Sequence, residues 1–530
     1  MLLVVMLAVI LVLAYIYFKD SYKYWRRLGI PQLSPQFPFG DMADVIFRKQ
    51  NMGDKINQIY AHQRRQGHDY VGLYFFSRKA FLPLDPVLIK DILGKDFQHF
   101  YDRGIYYDEK NDPLSAHLFS IAGPKWKNLR AKLTPAYSPV KLKGMFNTIL
   151  NCGKQMSEVI GEISEKQGEV EIKVMGVLIT LKPCWSQLDL LLEFQEILAR
   201  YSTDVIGCCA FGLDCNTMRN PEAEFRRMGR RAFTQTIGDV LKMIVIRSFP
   251  PIAKALRLGV FSDSVTSFFR KVVDETITFR ETNGIQRKDF MQLLVELKNN
   301  RSIVDDELEP VKQTEPGTAL TVDEAAAQAF IFFLAGFETT STTTSFALFE
   351  MARCPHIQQR AREEALGILG QHGGEITYDA LMEMKYLDMI FNETLRKYPP
   401  APVFLRKCTK SYRIPNTNAF IEEGQSVLIP CIGLHRDPVY FPNPDLFDPE
   451  RFSDQNKSKV KDGTYIPFGS GPRNCIGMRF AMIQSKVALV LSLVHYELRL
   501  SERTQLPLKM ETKGIILAPI GGLWIEFKHR

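Results

Sequence analysis

The sequence predicts a mainly α-helical protein with smaller β-sheets and a single N-terminal membrane anchor. An uncharged apolar stretch opens the chain, and long segments with a 3.6-residue apolar period dominate its middle. Short strand-like runs lie on either side of these segments, at 71–75, 79–83, 426–430 and 514–517. The sheets are therefore expected near the N-terminal side of the body and close to the C-terminus.

The N-terminal stretch, residues 1–18, contains no charged side chain and is dominated by Leu, Val, Ile and Met. It is just long enough to span a bilayer as a helix. A cleaved signal peptide would need a basic start and a small-residue cleavage site, and here no Lys or Arg precedes the apolar core. Four basic residues follow between positions 19 and 27, and the positive-inside rule then places the rest of the chain on the cytosolic side.

A basic and proline-rich segment, residues 19–40, comes next and is expected to form a stiff hinge. Residues 41–530 follow without a Gly/Ser linker, a low-complexity tract or an internal repeat. We therefore expect one large helical domain there, and 45% hydrophobic content is enough to give it a sizeable core.

The charge and the cysteines limit the classes of function. The formal charge of +8 is modest and spread out, so nucleic-acid binding is not expected. The nine cysteines include no CxxC pair and no His/Cys cluster at zinc spacing, which indicates a reducing, cytosol-facing compartment. Cys208 and Cys209 are adjacent in an apolar helical stretch and are expected to be core residues.

The most informative run reads Phe-Gly-Ser-Gly-Pro-Arg-Asn-Cys-Ile-Gly and carries Cys475 on a glycine-rich turn. An apolar-periodic stretch over 480–494 follows and predicts a long buried helix. Backbone N–H groups and the positive end of that helix favour the thiolate form of the cysteine. Glycines let a flat, bulky group approach the backbone. A thiolate held in this way suits axial ligation of haem iron. The alternative interpretation is a buried structural cysteine, which would be expected for a lone cysteine outside such a run.

This run resembles the haem-binding peptide of the cytochrome P-450 family, Phe-x-x-Gly-x-Arg-x-Cys-x-Gly. The matching residues are Phe468, Gly471, Arg473, Cys475 and Gly477. The resemblance implies that Cys475 is the fifth ligand of a haem b iron and that Arg473 pairs with a haem propionate. It also implies that Phe468 and Gly477 belong to the cofactor-binding residues, and that residues 41–530 form a haem-thiolate catalytic domain with the cytochrome P-450 fold.

A second motif, Ala335-Gly-Phe-Glu-Thr-Thr, lies inside an apolar helical run over 325–351. Polar side chains there are costly unless they are hydrogen-bonded or used. We expect Thr339 to bond back to the carbonyl of Ala335, which can bend the helix. A packing defect satisfied by water would also explain the motif. The resemblance extends to the family's distal helix and implies that Glu338 and Thr339 relay protons through water during dioxygen reduction.

Two further patterns match the family in the same order along the chain. Glu393 and Arg396 lie three residues apart, which places them on one helix face. With Arg451 in a downstream Pro-Glu-Arg-Phe run, the resemblance implies a buried structural network. Trp126 and Arg130 lie four residues apart on another helix, and the resemblance implies that both bind a haem propionate.

Two expectations depend on the neighbourhood of these motifs. Arg406, after a proline pair, is a further candidate partner for a propionate. The helix carrying Trp126 is also basic, with Lys125, Lys127 and Lys132. These charges either serve only to keep the protein soluble or form a surface that steers an acidic flavoprotein reductase towards the protein.

One segment, residues 174–195, departs from the family pattern and looks like an insertion. It is strongly apolar, and Pro183 would break a helix through it. One explanation is a second membrane-contacting loop. The other is a translated intron, since the segment begins with Val, whose codons start GT, and ends Phe-Gln, which is compatible with a TTTCAG acceptor. We favour the intron because exposed apolar patches are normally avoided.

Together the motifs and the N-terminal anchor imply a microsomal haem-thiolate monooxygenase. The overall texture of the sequence, such as the run at 198–207, is most similar to insect members of the family. The protein would oxidise lipophilic substrates such as xenobiotics, insecticides or hormone-like lipids. Electrons would come from NADPH through a separate NADPH–cytochrome P-450 reductase, with a cytochrome b-type protein as a candidate second donor. The expected location is the endoplasmic reticulum membrane. Two alternatives remain: a haem-thiolate isomerase or dehydratase, and an inactive haem-bearing ligand binder.

Overall fold

The computed structural model describes residues 1–167, 170–172, 197–233, 237–248, 250–299, 319–512, 514 and 516–530. The candidate insertion at 174–195 lies outside the described residues. Its flanks are a strand that ends at Ile172 and a helix that begins at Ile197.

Helices make up most of the described chain. In order they are α1 (Leu2–Ser21), α2 (Tyr24–Arg27), α3 (Ala43–Ile46), α4 (Met52–Arg65), α5 (Pro86–Lys90), α6 (Gly123–Leu133), α7 (Pro139–Gln167), α8 (Ile197–Ile206), α9 (Glu224–Phe233), α10 (Ile237–Ser248), α11 (Pro250–Ala255), α12 (Asp263–Asn283), α13 (Phe290–Lys298), α14 (Val322–Arg353), α15 (Pro355–Gln371), α16 (Tyr378–Glu383), α17 (Lys385–Lys397), α18 (Cys431–His435) and α19 (Met478–His495). A π-helix, Gly207–Phe211, directly continues α8. The prediction of a mainly helical chain is confirmed.

The strands form small sheets within the described residues. They are β1 (Tyr70–Phe75), β2 (Arg78–Pro83), β3 (Val170–Ile172), β4 (Phe404–Lys407), β5 (Tyr412–Arg413), β6 (Phe420–Ile421), β7 (Ser426–Ile429), β8 (Tyr496–Leu500) and β9 (Leu523–His529). One sheet has the order β1-β2-β7-β4, in which β2 and β7 are parallel. The others have the orders β3-β9-β8 and β5-β6.

Three of the four predicted strands are confirmed as β1, β2 and β7, and the fourth is wrong. Among the described residues of the run at 514–517, Gly514, Ile516 and Leu517 have no strand structure. A short apolar run without alternation does not specify a strand. The C-terminal sheet instead uses β8 and β9, whose side chains do alternate: in β9, Leu523, Ile525 and Phe527 are buried and the residues between them are not.

The chain divides into two compact units. The first comprises Met1–Gly104, Leu395–Cys475 and Met510–Leu517. Its core surrounds the four-stranded sheet and begins immediately after the N-terminal helix. Trp25 is fully buried and donates its indole N–H to the carbonyl of Leu73 at 3.1 Å. A Cβ at Gly72 would lie 2.1 Å from the Trp25 ring, so glycine is required there.

The second unit comprises Ile105–Thr394, Ile476–Lys509 and Ala518–Arg530. Its central element is α14, which packs against α8, α12 and α19. A capping box starts this helix: the Thr321 hydroxyl accepts from the backbone of Glu324, and the Glu324 carboxylate accepts from the backbone of Thr321. The predicted helices at 325–351 and 480–494 are confirmed as α14 and α19.

Helix α1 has the properties expected of a membrane anchor. None of its residues is buried, and with α2 it forms a helix long and apolar enough to cross a bilayer. In the described residues α19 is the other helix that meets this test, but it is mostly buried in the body. The side chains at the base of α1 meet the hinge, where Tyr15 and Phe18 pack edge-on against Phe37 at 5.4 and 5.3 Å between ring centroids.

Candidate active site

In the first unit, the Cys475 loop is fixed by its own backbone. The N–H of Cys475 donates to the carbonyl of Phe468 at 2.8 Å, and the N–H of Asn474 donates to that of Gly471 at 3.0 Å. The Cys475 side chain is exposed. The chain then enters α19 at Met478, with Gly477 as the N-terminal cap residue. The predicted glycine turn before a helix is confirmed.

Gly471 is the residue of this loop that tolerates no side chain. Its φ is +70°, in the left-handed region that favours glycine. A Cβ there would lie 1.8 Å from the carbonyl oxygen of Leu93, which is backbone and cannot turn aside. The loop is therefore pressed against the segment that carries Leu93.

Arg406, on β4, is a buried cation with unused hydrogen-bonding capacity. It is 3% exposed, and its Nη1 donates to the carbonyl of the adjacent Leu405 at 2.9 Å. Its Nε has no acceptor within the described part of the chain. Burial lowers the pKa of the guanidinium to about 10. A buried charge of this kind is costly unless an anion accompanies it, so the site fits a carboxylate such as a haem propionate.

Arg473 is another buried guanidinium of this unit. It is 2% exposed. Its Nε donates to the carbonyl of Tyr101 at 2.7 Å, and its Nη2 lies 3.6 Å from the carboxylate of Asp102. The same segment borders β4, because the N–H of Lys407 donates to the carbonyl of Asp102 at 2.8 Å. The segment at 101–102 therefore touches both Arg473 and the strand of Arg406. Asp102 was missed in the sequence because nothing local marks it as a partner of a residue 371 positions away.

In the second unit, the middle of α14 combines a side-chain bond to the helix backbone with an accessible surface. The hydroxyl of Thr339 donates to the carbonyl of Ala335 at 2.6 Å, as predicted. Glu338 is 2% exposed, whereas Ala335 is exposed and Thr339 is half-buried. On a helix that is otherwise mostly buried, this accessible stripe leaves room beside the Thr339 hydroxyl. A Cβ at Gly336 would lie 2.6 Å from the side chain of Ile206, so glycine permits the close packing of α8.

Trp126 and Arg130 lie on α6 of the second unit. Trp126 is 5% exposed and Arg130 is half-buried, with its carbonyl accepting from the Thr134 hydroxyl at 2.7 Å. The predicted basic face of this helix is partly neutralised. Lys125 pairs with Glu109 at 2.9 Å and with Glu324 at 3.2 Å, so its charge is balanced within the unit. Of the neighbouring lysines, Lys127 is exposed and Lys132 is half-buried.

The three residues of the predicted structural network are placed as follows. Glu393 and Arg396 lie in α17 and are both completely buried. Arg396 donates to the carbonyls of His435 and Leu446, each at 3.2 Å. Arg451 lies in a 3₁₀ turn, Pro449–Phe452, and donates to the carbonyl of Asn443 at 3.1 Å. Each arginine thus holds backbone of the first unit, and the full network remains a prediction.

Comparison with known proteins decides the family. The family model described as Cytochrome P450 matches residues 38–525. The chain belongs to the cytochrome P450 family. It is 37% identical to cytochrome P450 6a2 of Drosophila melanogaster over 99% of this chain and 98% of that protein. It is also 37% identical to cytochrome P450 6k1 of Blattella germanica (99% and 96% covered) and to cytochrome P450 6A1 of Musca domestica (98% and 96%).

Membership fixes the class of chemistry. The chain is a haem-thiolate monooxygenase, and proteins of this family bind haem through a cysteine thiolate and take electrons from NADPH by way of a reductase. Neither the isomerase nor the inactive-binder alternative is supported. The predicted resemblance to insect members is confirmed. The N-terminal apolar helix is compatible with membrane association.

Proposed function

We propose that Cys475 is the axial thiolate ligand of haem b in this monooxygenase. The observation that carries the proposal is the backbone-closed loop that presents an exposed cysteine three residues before α19. Haem supplies the activation of dioxygen, with one oxygen atom inserted into the substrate and the other released as water. Phe468 contributes the carbonyl that orients the Cys475 backbone, and Gly477 supplies the turn into the helix.

The propionates would be held by buried cations. Arg406 is the strongest candidate because it has a buried donor without an acceptor among the described residues. Arg473 is anchored by Tyr101 and Asp102, so its position is fixed before any anion binds. Trp126 and Arg130 are proposed as further donors on the basis of the family pattern.

Glu338 and Thr339 are proposed to handle protons. The Thr339 hydroxyl uses its hydrogen on Ala335 and keeps its lone pairs available to accept from water. Glu338 is a buried carboxyl one residue away. A water positioned by Thr339 would deliver protons during dioxygen reduction, and Glu338 would replace the protons that this water gives up.

Replacement of Thr339 by Ala should uncouple NADPH use from product formation. We expect haem and ligand binding to persist while product per NADPH falls by about tenfold or more, since positioned proton transfer contributes roughly 10²–10⁴-fold to rates. The measurement is the ratio of product and hydrogen peroxide to NADPH consumed. Thr339→Ser keeps the hydroxyl and should retain coupling. Thr343→Ala is the matched control: it removes the same kind of back-bond, 2.9 Å to the Thr339 carbonyl, from a buried site. Equal coupling in Thr339→Ala and wild type would contradict the relay.

We further propose that the protein resides in the endoplasmic reticulum membrane with residues 41–530 facing the cytosol. The support is α1 followed by the basic hinge, since positive flanks favour the cytosolic side. NADPH–cytochrome P-450 reductase is the proposed electron donor, with a cytochrome b-type protein as a second one. The proposed substrates are lipophilic foreign compounds or hormone-like lipids.

The reaction is tested in an assay that contains the full-length protein, a flavoprotein reductase, NADPH and a panel of lipophilic probes. We expect substrate-dependent NADPH and dioxygen consumption, together with a shift of the haem absorption band by those probes that bind. Product formation from an organic peroxide substrate without reductase or NADPH, and no turnover with them, would instead favour an isomerase.

Deletion of residues 1–18 should give a haem-containing protein that partitions less firmly to membranes. The reason is that α1 has no buried residue, whereas the core begins at Trp25. Flotation on liposomes measures the partition, and the thiolate spectrum measures folding. Trp25→Ala is the contrasting variant, because it empties a fully buried site and should lower the yield of haem protein while leaving α1 intact. A deletion that yields no folded haem protein would refute the assignment of this segment as an anchor.

A further inference from the structure

The accessible stripe of α14 is closed at one end by the cover loop, residues 108–121. Members of the stripe are exposed or half-buried and lie four residues apart on one helix face: Ile331, Ala335 and Thr339. Gln328 lies three residues before Ile331, on the same face, but it is 1% exposed. Its side-chain carbonyl accepts from the N–H of Leu118 at 2.8 Å, so the cover loop ends the stripe at this point.

The first part of the cover loop is a tight turn held by its own hydrogen bonds. The N–H of Asp112 donates to the carbonyl of Asp108 at 2.9 Å. Ser115 is 2% exposed, and its hydroxyl accepts from the N–H of Asp108 at 2.9 Å and donates to the carbonyl of Asp112 at 2.6 Å. The 3₁₀ turn Pro113–Ser115 packs against α14. The loop therefore presents the carboxylate of Asp112 from a fixed backbone.

This carboxylate joins the cover loop to the segment between α11 and α12. Asp112 is 2% exposed, and its Oδ2 accepts from the N–H of Val260 at 2.6 Å and from that of Phe261 at 3.3 Å. A Cβ at Gly259 would lie 3.3 Å from the Cβ of Asp112, so the two segments are close. The Phe261 ring packs edge-on against Phe330 of α14 at 4.8 Å between ring centroids. One side chain thus ties two segments together beside the first turns of α14.

The tie is strong in its bonds and costly in its burial. Hydrogen bonds to an ionised acceptor are stronger than neutral ones. A carboxylate removed from water loses its hydration, however, and the second oxygen of Asp112, Oδ1, has no hydrogen-bond partner in the part of the chain that the structure describes. Separation of the two segments would let water solvate both oxygens. Opening therefore recovers part of what the two bonds contribute.

We propose that Asp112 is a positioning residue that controls how bulky lipophilic molecules enter and leave the space along the α14 stripe. Eleven helical residues separate Gln328 from Thr339, so the closed end of the stripe lies about 16 Å from the Thr339 turn. A molecule that lies along the stripe is kept beside Thr339 while the tie holds, and it exchanges when the tie breaks. This inference rests on the proposed haem site and on the proposed role of Thr339.

The test is the exchange of two haem ligands in the full-length haem protein, imidazole and a triphenylmethyl-substituted imidazole, followed by stopped-flow absorption. Both coordinate iron through the same ring nitrogen and differ in bulk. In Asp112→Ala we expect the association and dissociation rate constants of the bulky probe each to rise about tenfold, the factor that corresponds to one charge-assisted hydrogen bond. The Kd should stay nearly constant because both rates rise. The rate constants of imidazole should remain as in the wild type.

Two further variants sharpen the test. Asp112→Asn keeps an acceptor oxygen without the charge, so it should accelerate the bulky probe in the same direction but less, and it decides the matter if Asp112→Ala does not retain haem. Asp204→Asn is the matched control. Asp204 is also a buried carboxylate of the second unit, 3% exposed, and accepts from two consecutive backbone N–H groups, those of Thr217 at 2.8 Å and Met218 at 3.1 Å. It should exchange both probes at the wild-type rates.

The proposal is overturned if the Asp112 variants exchange the bulky probe at the wild-type rates, or if imidazole or Asp204→Asn shows the same acceleration. A rise in the dissociation rate alone, with weaker equilibrium binding, would indicate a loosened pocket and would also overturn it. Absence of any imidazole shift in the wild type would refute the haem site itself. Since ligand exchange needs neither NADPH nor reductase, its result is separate from the test of the monooxygenase reaction.

Discussion

Replacement of Cys475 by Ser should abolish the thiolate-specific Soret band of the reduced carbon monoxide complex. A serine hydroxyl is far less acidic than a thiol and does not provide the electron donation of a sulfur ligand. The loop itself should survive, because it is held by backbone bonds such as that from the N–H of Cys475 to Phe468 at 2.8 Å. The loss of signal should therefore come from ligation rather than from unfolding. The measurement is the difference spectrum normalised to folded protein, with the helical circular dichroism signal as the check on folding.

The matched control is Cys354→Ser, which makes the same chemical change at the start of α15. It should keep the full thiolate spectrum. If Cys475→Ser retains a normal thiolate band, then Cys475 is not the ligand. Because an altered loop can also lose haem, retention of haem with a changed band in Cys475→Ser would be the sharpest support for ligation.

The long helices could be predicted because their signal is local. Apolar spacing located α14 and α19 to within a few residues, and the back-bond from Thr339 to Ala335 followed from the position of a Thr in a helix. The same logic located β1, β2 and β7. It fails at 514–517, because apolar character without alternation does not specify a strand. The alternation in β8, Tyr-Glu-Leu-Arg-Leu, was available and would have located the C-terminal sheet.

The parts of the site that could not be predicted depend on distant contacts. The sequence marks Arg473 as a member of a motif, but its contacts with Tyr101 and Asp102 join positions far apart in the chain. Arg406 could be named as a candidate, yet the property that supports it, a buried Nε without an acceptor among the described residues, exists only in the folded chain. The composition of α6 alone indicates a basic helix. In the folded chain, ion pairs with Glu109 and Glu324 balance the charge of Lys125, and these distant partners are not visible in the composition of the helix.

Replacement of the motif glycine Gly471 by Ala should destabilise the protein more than the same replacement at other glycines with positive φ. Its φ is +70°, and an added Cβ would meet the carbonyl oxygen of Leu93 at 1.8 Å. Gly424 has a φ of +88° but no atom within 4 Å of its Cβ position. Gly424→Ala therefore measures the backbone cost alone, which is about 1–2 kcal/mol. Gly471→Ala adds a clash between two backbone segments, and we expect a total destabilisation above about 3 kcal/mol.

Haem binding should also be lost more in Gly471→Ala than in Gly424→Ala. The reason is that the backbone that must shift to relieve the clash carries the proposed haem ligand four residues later. We expect Gly471→Ala to lose most of its haem and its thiolate spectrum, and Gly424→Ala to keep both. The rate of haem transfer to an apoglobin and the midpoint of thermal unfolding measure the two effects. Equal losses in both variants would mean that the left-handed backbone, and not the contact with Leu93, makes the glycine necessary. Full haem retention in Gly471→Ala would show that the segment at Leu93 yields, and that the loop is not held rigidly against it.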